Sequence, residues 1–319
     1  MRSFTIGKND AGQRLDKFLE KSMPLLPKNL MYKYIRLKRI KLNRKRCEIS
    51  TRLCEGDVLE LYINDEFFDK EGSDKPFLSA PKSLEIVYED ENIMLLYKKV
   101  GLVVHDDESG GYDTLINRVL HYLYDKGEYS PENELSFTPS LCNRLDRNTE
   151  GIVICAKTAE ALRIMNQKIK DRELSKKYLC VTIGVPSPKE QTATAYLEKN
   201  EQTKTVKISS HKTDRNKTII TKYRVLQEKG RLALLEVDLI TGRTHQIRAH
   251  LAYLGYPLLG DGKYGSNADN RQYGVKTQAL CSHSLSFDFK TDAGVLSYLD
   301  GKTFSVDSPW FVREFFDSI

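Results

Sequence analysis

Apolar positions recur along this chain with two periods. Leu15, Phe18, Leu19 and Met23 fall on one face of a helix, with Asp10 placed to cap it. Leu30, Met31, Tyr34 and Ile35 predict a second short helix. The period then shortens to two. Ile40 and Leu42 alternate with Lys41 as in a strand, and Asn43-Arg44-Lys45-Arg46 reads as a tight turn. Glu55-Gly56-Asp57 is another turn, leading into a strand from Val58 to Ile63. Residues 65–82 lose the periodicity, turn acidic and carry Gly72, Ser73, Pro76 and Pro81, the composition of a linker.

Strands dominate beyond the linker. The pattern predicts them over 84–88, 92–97, 102–105, 152–156, 178–185, 192–197, 204–208, 219–226, 232–240 and 280–289. Helical spacing returns at Leu115, Ile116, Val119, Leu120 and Leu123, and at Leu162, Met165 and Ile169 behind a capping Thr158. It returns again over 245–254 and in a closing helix over 310–316. Long runs of strands with few helices predict an α+β fold. The expectation is a small α/β domain at 1–64, a linker at 65–82, and a domain at 83–319 with a mixed, mainly antiparallel sheet and flanking helices.

Composition adds exclusions. A chain of 319 residues that is 40% hydrophobic and 29% charged can bury a core, so a disordered or fibrous chain is excluded. No window approaches the ~18 uninterrupted apolar residues of a membrane span. The N-terminus turns charged too early for a signal peptide, and six scattered cysteines without a C-x-x-C pair fit a reducing cytoplasm. The same spacing argues against a metal site. Nothing demands a second chain, so a monomer is expected.

Charge changes the picture more. The net +6 is uneven: residues 1–64 hold 15 Lys and Arg against 7 Asp and Glu, while the remaining 255 are close to neutral. Eight cations crowd into fourteen residues: Lys33, Arg36, Lys38, Arg39, Lys41, Arg44, Lys45 and Arg46. They are interleaved with the apolar residues of a folded module. An ordered surface of this kind can track phosphates, with affinity from counterion release. Gln13-Arg14-Leu15-Asp16-Lys17-Phe18-Leu19, the stretch from Tyr34 to Asn43, and Glu55-Gly56-Asp57-Val58 resemble the small alpha-L RNA-binding domain, also found in a ribosomal small-subunit protein. The resemblance implies contact with structured RNA.

Three clusters in the larger domain carry candidate chemistry. Asn143-Arg144-Leu145-Asp146-Arg147-Asn148-Thr149-Glu150-Gly151 is a polar loop entering the apolar strand at 152–156. Taken alone, Asp146 reads as a capping or salt-bridged carboxylate. Thr241-Gly242-Arg243-Thr244-His245-Gln246-Ile247-Arg248 joins a strand to a helix, where either arginine alone reads as a salt-bridge partner. Lys176-Lys177-Tyr178 opens a strand, and Tyr178 alone reads as a half-buried packing residue, or as a ring lining a pocket.

Together, and in this order, the clusters resemble the RluA/RluC/RluD family of pseudouridine synthases. That family's pattern is approximately H-R-L-D-x-x-T-S-G, K-x-Y, then G-R-T-H-Q-I-R-x-H-L. Lys98–His105 is similar to the family's K-P-x-G-L-x-V-H, and Pro257–Gly265 to its P-I-x-G-D-x-x-Y-G. The resemblance implies an RNA-modifying isomerase in which Asp146 is the catalytic aspartate and Arg248 its paired arginine. Tyr178 would pack on the target base and assist proton removal at carbon 5. Arg144 would fill the space of a flipped uridine, with Thr149, Lys176, Arg243 and His245 also at the substrate. Breaking N1–C1′ and rejoining the sugar through carbon 5 involves no net redox or hydrolysis, so no cofactor is expected. Asp146 must be ionised for nucleophilic attack or for deprotonation at C2′, and a paired arginine favours that form.

The resemblance implies large-subunit ribosomal RNA as substrate. Transfer RNA is the alternative, as is a non-catalytic RNA-binding or ribosome-assembly role. A hydrolase using Asp146 with His245 or His250 lacks a nucleophile motif such as G-x-S-x-G. Three positions depart from the pattern: Asn143 for His, Glu150 for Ser and Lys99 for Pro. An inward Glu150 would oppose the charge of Asp146 or of phosphate; an outward one would not.

Overall fold

The structure is a computed structural model that describes residues 1–68, 75–106, 111–132, 134–200 and 202–316. Gly72 and Ser73 of the expected linker therefore lie outside the described residues.

The N-terminal module runs β1 (Arg2–Thr5), α1 (Leu15–Ser22), α2 (Lys28–Arg36), β2 (Ile40–Leu42), β3 (Lys45–Arg46) and β4 (Val58–Leu61). Its antiparallel sheet has the order β1-β4-β2-β3. Leu15, Phe18 and Leu19 of α1 meet Met31 and Ile35 of α2, and Ile40, Leu59 and Leu61 of the sheet, in one core. The turn between β2 and β3 takes positive φ at both Asn43 and Arg44, the twist that suits a two-residue hairpin.

Asp10 does not cap α1. Arg14 occupies that position without a side-chain cap. The Asp10 carboxylate instead accepts hydrogen bonds from the Ser136 amide (3.1 Å) and hydroxyl (2.6 Å). Asn9 accepts from the Ala159 amide, Arg163 donates to the Ala11 carbonyl, and Leu135 packs against the module's core. The segment at 9–13 is thus the contact between the module and the rest of the chain.

The remaining elements are β5 (Glu85–Glu89), β6 (Ile93–Lys98), α3 (Leu115–Asp125), β7 (Ser140–Leu141), β8 (Glu150–Ala156), α4 (Ala159–Lys170), β9 (Leu174–Ile183), β10 (Glu190–Asn200), β11 (Thr205–Ser209), β12 (Lys217–Lys229), β13 (Leu232–Leu239), α5 (Gln246–Tyr253), α6 (Asn267–Gln272), β14 (Leu280–Phe287), β15 (Thr303–Ser305) and α7 (Trp310–Phe315). They build an eleven-stranded sheet of order β11-β10-β12-β13-β9-β14-β8-β6-β5, with β15 on β14 and β7 on β8. Among the described residues β8–β14 is the parallel pair, and the other pairings are antiparallel. The expected mixed, mainly antiparallel α+β fold is what forms.

β8 reads as continuous apolar sequence because both of its faces are covered. Val153 and Cys155 pack with Leu115 and Val119 of α3, while Ile152 and Ile154 pack with Met165 of α4. Thr158 caps α4, accepting from the Ala161 amide. The expected strand at 102–105 is absent: Val103 makes only an isolated bridge to Thr114. Its backbone there is used otherwise, with the Leu102 carbonyl accepting from Lys98 Nζ. Among the described residues no helix is long and apolar enough to cross a membrane.

Candidate active site

Three neighbouring strands set the geometry. In the centre lies β14, with β8 on one side and β9 on the other. Ser282 of β14 pairs with Gly151 on β8 and with Tyr178 on β9. The loop ending at Gly151 and the ring of Tyr178 are therefore brought together across one residue. The approach requires glycine: a Cβ at Gly151 would lie 2.3 Å from the Ser282 carbonyl oxygen, and its φ of +119° is one that side chains rarely adopt.

The loop before β8 is held from beneath. Lys98, fully buried at the end of β6, donates from Nζ to the carbonyls of Lys99 (3.0 Å), Leu102 (2.7 Å) and Arg147 (2.9 Å). Burial pulls its ammonium down to about 8, and the nearby charges of Asp146 and Glu150 work against that fall. Buried Thr149 accepts from Gln278 Nε2, and Asn143 Oδ1 accepts from the Ile154 amide. Asparagine thus still supplies a side-chain hydrogen bond to the loop.

Asp146 stands on this loop, its side chain 28% exposed. Its Oδ2 accepts from Arg248 Nη1 at 2.7 Å. Arg248 is fixed in turn by Asp261, which has no exposed surface: Nε donates to Oδ2 at 2.7 Å and Nη2 to Oδ1 at 3.0 Å. Burial opposes the charge on Arg248, but its hydrogen bonds to Asp261 and the two carboxylate charges outweigh it and hold the guanidinium protonated. The Asp261 carboxyl lies below its ordinary range because Arg248 overcomes the burial penalty. Amides of Lys263 and Tyr264 complete its shell.

His245 precedes α5 in the left-handed conformation (φ +52°), which is costly for a side chain other than glycine or asparagine. Its Nε2 lies 3.8 Å from Asp146 Oδ2, and its Nδ1 lies 2.8 Å from the Tyr264 hydroxyl. Burial lowers the affinity of this imidazole for a proton.

Tyr178 is buried, and burial is the main reason its hydroxyl is pushed up to about 12; the Ser282 hydrogen bond acts the other way. The phenol therefore keeps its proton at neutral pH. These groups face a cleft of about 1270 Å³, lined also by Arg144, Lys176 and Arg243. Burial pulls Lys176 down to about 8. Arg144 and Arg243 are exposed, with no side-chain hydrogen bond or ion pair among the described residues.

Glu150 points elsewhere. It lines a separate pocket of about 680 Å³ with Tyr97 and Trp310, and Tyr97 donates to its Oε2 at 2.6 Å. Its carboxyl is raised, chiefly by burial. In the N-terminal module the eight cations at 33–46 are exposed, apart from half-buried Lys41. None of them forms an ion pair among the described residues. Arg39 lies over the Tyr34 ring and Lys41 over the Tyr62 ring.

Motif reading assigned no role to Lys98, Asp261, Tyr264, Gln278 or Ser282. Lys98, Asp261 and Tyr264 stand inside stretches that carried the family resemblance, so the signal was present without the roles. Gln278 and Ser282 had no local signal.

A family model described as RNA pseudouridylate synthase matches residues 92–253, a span that holds Asp146, Tyr178 and Arg248. The chain belongs to the RNA pseudouridylate synthase family. An S4 domain model matches residues 13–59, so this RNA pseudouridine synthase carries an N-terminal S4 domain. The synthase is 33% identical to an uncharacterized RNA pseudouridine synthase of Mycoplasma genitalium, over 89% of this chain and 88% of the relative. It is 30% identical to the ribosomal large subunit pseudouridine synthase C of Vibrio cholerae, over 88% of this chain and 87% of that one. Among solved structures it shares its fold with human RNA pseudouridylate synthase domain containing 4, with a TM-score of 0.56 and 21% identity over 72% of this chain and 90% of that one.

Proposed function

We propose that this synthase converts uridine to pseudouridine in large-subunit ribosomal RNA, with Asp146 as the reacting carboxylate. One observation carries the catalytic part: Asp146, which lines the cleft, is tied through Oδ2 to a guanidinium that is itself clamped by buried Asp261, while Oδ1 accepts no hydrogen bond among the described residues. A carboxylate held by one oxygen offers the other to the sugar or the base. Arg248 sets a positive charge 2.7 Å from Oδ2.

Tyr178 is the face on which the uracil packs. Its neutral phenol favours stacking and hydrogen bonding over service as a ready base. Arg144 has no hydrogen bond or ion pair among the described residues, lines the cleft, and is long enough to occupy the stack after a base leaves it, offsetting part of an unstacking cost of a few kcal/mol. Lys176 and Arg243 contact the flanking nucleotide, His245 stands at the substrate beside Asp146, and Thr149 holds the loop. Residues 1–64 grip RNA through Lys33, Arg36, Lys38, Arg39, Lys41, Arg44, Lys45 and Arg46, with 65–82 as linker and 83–319 as the catalytic part. The ribosomal substrate is supported by the name of the Vibrio cholerae relative, which matches over most of both chains.

Deleting the gene in its host and mapping pseudouridine in total RNA tests the substrate. The expected result is loss at one or a few large-subunit positions, and loss confined to transfer RNA overturns the ribosomal assignment. Asp146→Asn, nearly isosteric, should convert no uridine; full activity would remove the catalytic assignment.

A further inference from the structure

His245 and Tyr264 sit beside the reacting carboxylate, and the hydrogen-bond inventory of the pair has one consistent solution. A tyrosine hydroxyl has one proton to donate and two lone pairs. The Val206 amide of β11 donates to the Tyr264 oxygen at 3.0 Å, which takes one lone pair. The acceptor available to the hydroxyl proton among the described residues is His245 Nδ1, at 2.8 Å. Were Nδ1 protonated, the hydroxyl proton would have no acceptor among the described residues.

The far side of the imidazole gives the same answer independently. Nε2 looks at Asp146 Oδ2 from 3.8 Å. A lone pair there would face a carboxylate, whereas an N–H is attracted to it. The charged groups around the ring are Asp146, Arg248, Asp261 and Lys263, and burial adds to the preference for the neutral ring. Tyr264 also touches the other donor: the Arg248 guanidinium lies over its ring, 5.4 Å from the centroid. The Tyr264 amide is bonded to Asp261 Oδ1, so one loop braces both groups.

We propose that Tyr264 is a positioning residue that locks His245 as the Nε2–H tautomer, so that His245 and Arg248 direct two donors at the same oxygen of Asp146 and leave Oδ1 for the substrate. The proposal rests on the reading of Asp146 as the reacting carboxylate. The gap of 3.8 Å is too long for a hydrogen bond in the free protein. The His245 donor therefore engages once an RNA substrate brings the loop and α5 together, and it acts on turnover more than on affinity.

The test uses the full chain with ¹⁵N-labelled histidine, and long-range ¹H–¹⁵N correlation at neutral pH to read the two ring nitrogens. His245 is assigned by its disappearance in His245→Asn. The expected spectrum has Nδ1 unprotonated and Nε2 protonated, with Tyr264→Phe giving a mixture of tautomers. On an unmodified large-subunit ribosomal RNA transcript, Tyr264→Phe should lower kcat about tenfold with KM nearly unchanged, the loss of roughly one aligned donor.

His245→Gln places an amide near the Nε2 position, and His245→Asn places it near Nδ1. Asparagine tolerates the left-handed backbone at 245 best, so its loss is not one of folding. His245→Gln should keep a kcat at least about threefold above that of His245→Asn. A protonated Nδ1 in the unsubstituted protein overturns the proposal. So does a tautomer that Tyr264→Phe leaves unchanged, or equal kcat for Gln and Asn. If Tyr264→Phe does not fold, the unsubstituted spectrum and the Gln–Asn pair decide. If the protein converts no uridine in this transcript, the proposed function fails separately, since the spectrum still reads the lock.

Discussion

The two oxygens of Asp146 have different surroundings, and that asymmetry is made by Arg248 rather than by the aspartate. The guanidinium spends Nε and Nη2 on Asp261 and has Nη1 left for Asp146. A lysine has a compact point charge and no planar fork, so it cannot span both carboxylates. Arg248→Lys should therefore lower single-turnover conversion by about a hundredfold, with little change in RNA affinity. Gly151 is as constrained, by backbone instead of charge. Gly151→Ala must separate β8 from β14 or break the Ser282 pairing, and should cost about 2–4 kcal/mol in urea unfolding. Asp146, Tyr178 and Arg248 were nameable from the sequence because each stands in a compact motif with an ordered neighbourhood. Lys98 and Ser282 were not, because each acts through partners supplied by another strand or loop.

At the scale of elements, α5 is unusual in being buried on almost every side. Gln246, Ile247, Arg248, Ala249, His250 and Leu251 are all buried. Alternation or helical periodicity reports one buried face, so this helix was legible as a helix while its depth was not. Polar members must then find partners inside. Gln246 bonds to Thr241, Thr221 and the Ile220 carbonyl, and His250 Nδ1 meets Thr221 Oγ1. Burial pulls His250 down to about 4. Its folded value lies below the unfolded one of about 6.5, so between these limits the unfolded chain binds the proton and the native chain does not. Stability from this group is present above about pH 6.5 and is lost as pH falls toward 4. Urea midpoints measured across that range should decline, and His250→Gln, which takes up no proton, should flatten the slope.

For the whole molecule, the S4 domain and the catalytic sheet are joined by a contact that was misread in the sequence. Asp10 looked like a helix cap because it precedes an apolar-periodic run. Its carboxylate reaches across to Ser136 instead. Asp10→Ala should therefore leave α1 intact by circular dichroism but loosen the two parts, read as faster proteolysis between residues 64 and 84. The cations at 44–46, which form no ion pair among the described residues, give a separate prediction. Replacing Arg44, Lys45 and Arg46 with Gln should weaken RNA binding and reduce the log–log salt slope by about 2, leaving conversion at saturating RNA unchanged. The sequence by itself determined the secondary structure of most of the chain, the charge split and the three motifs, because periodicity, composition and short spacing are local properties. It could not determine which way Glu150 turns, that Tyr178 and Gly151 meet across Ser282, or that Arg248 is shared between two carboxylates. Those depend on the meeting of Gly151 and Tyr178 at Ser282 and of Arg248 with Asp146, between residues more than a hundred positions apart, and on the packing of α5 against β12, which no local pattern encodes.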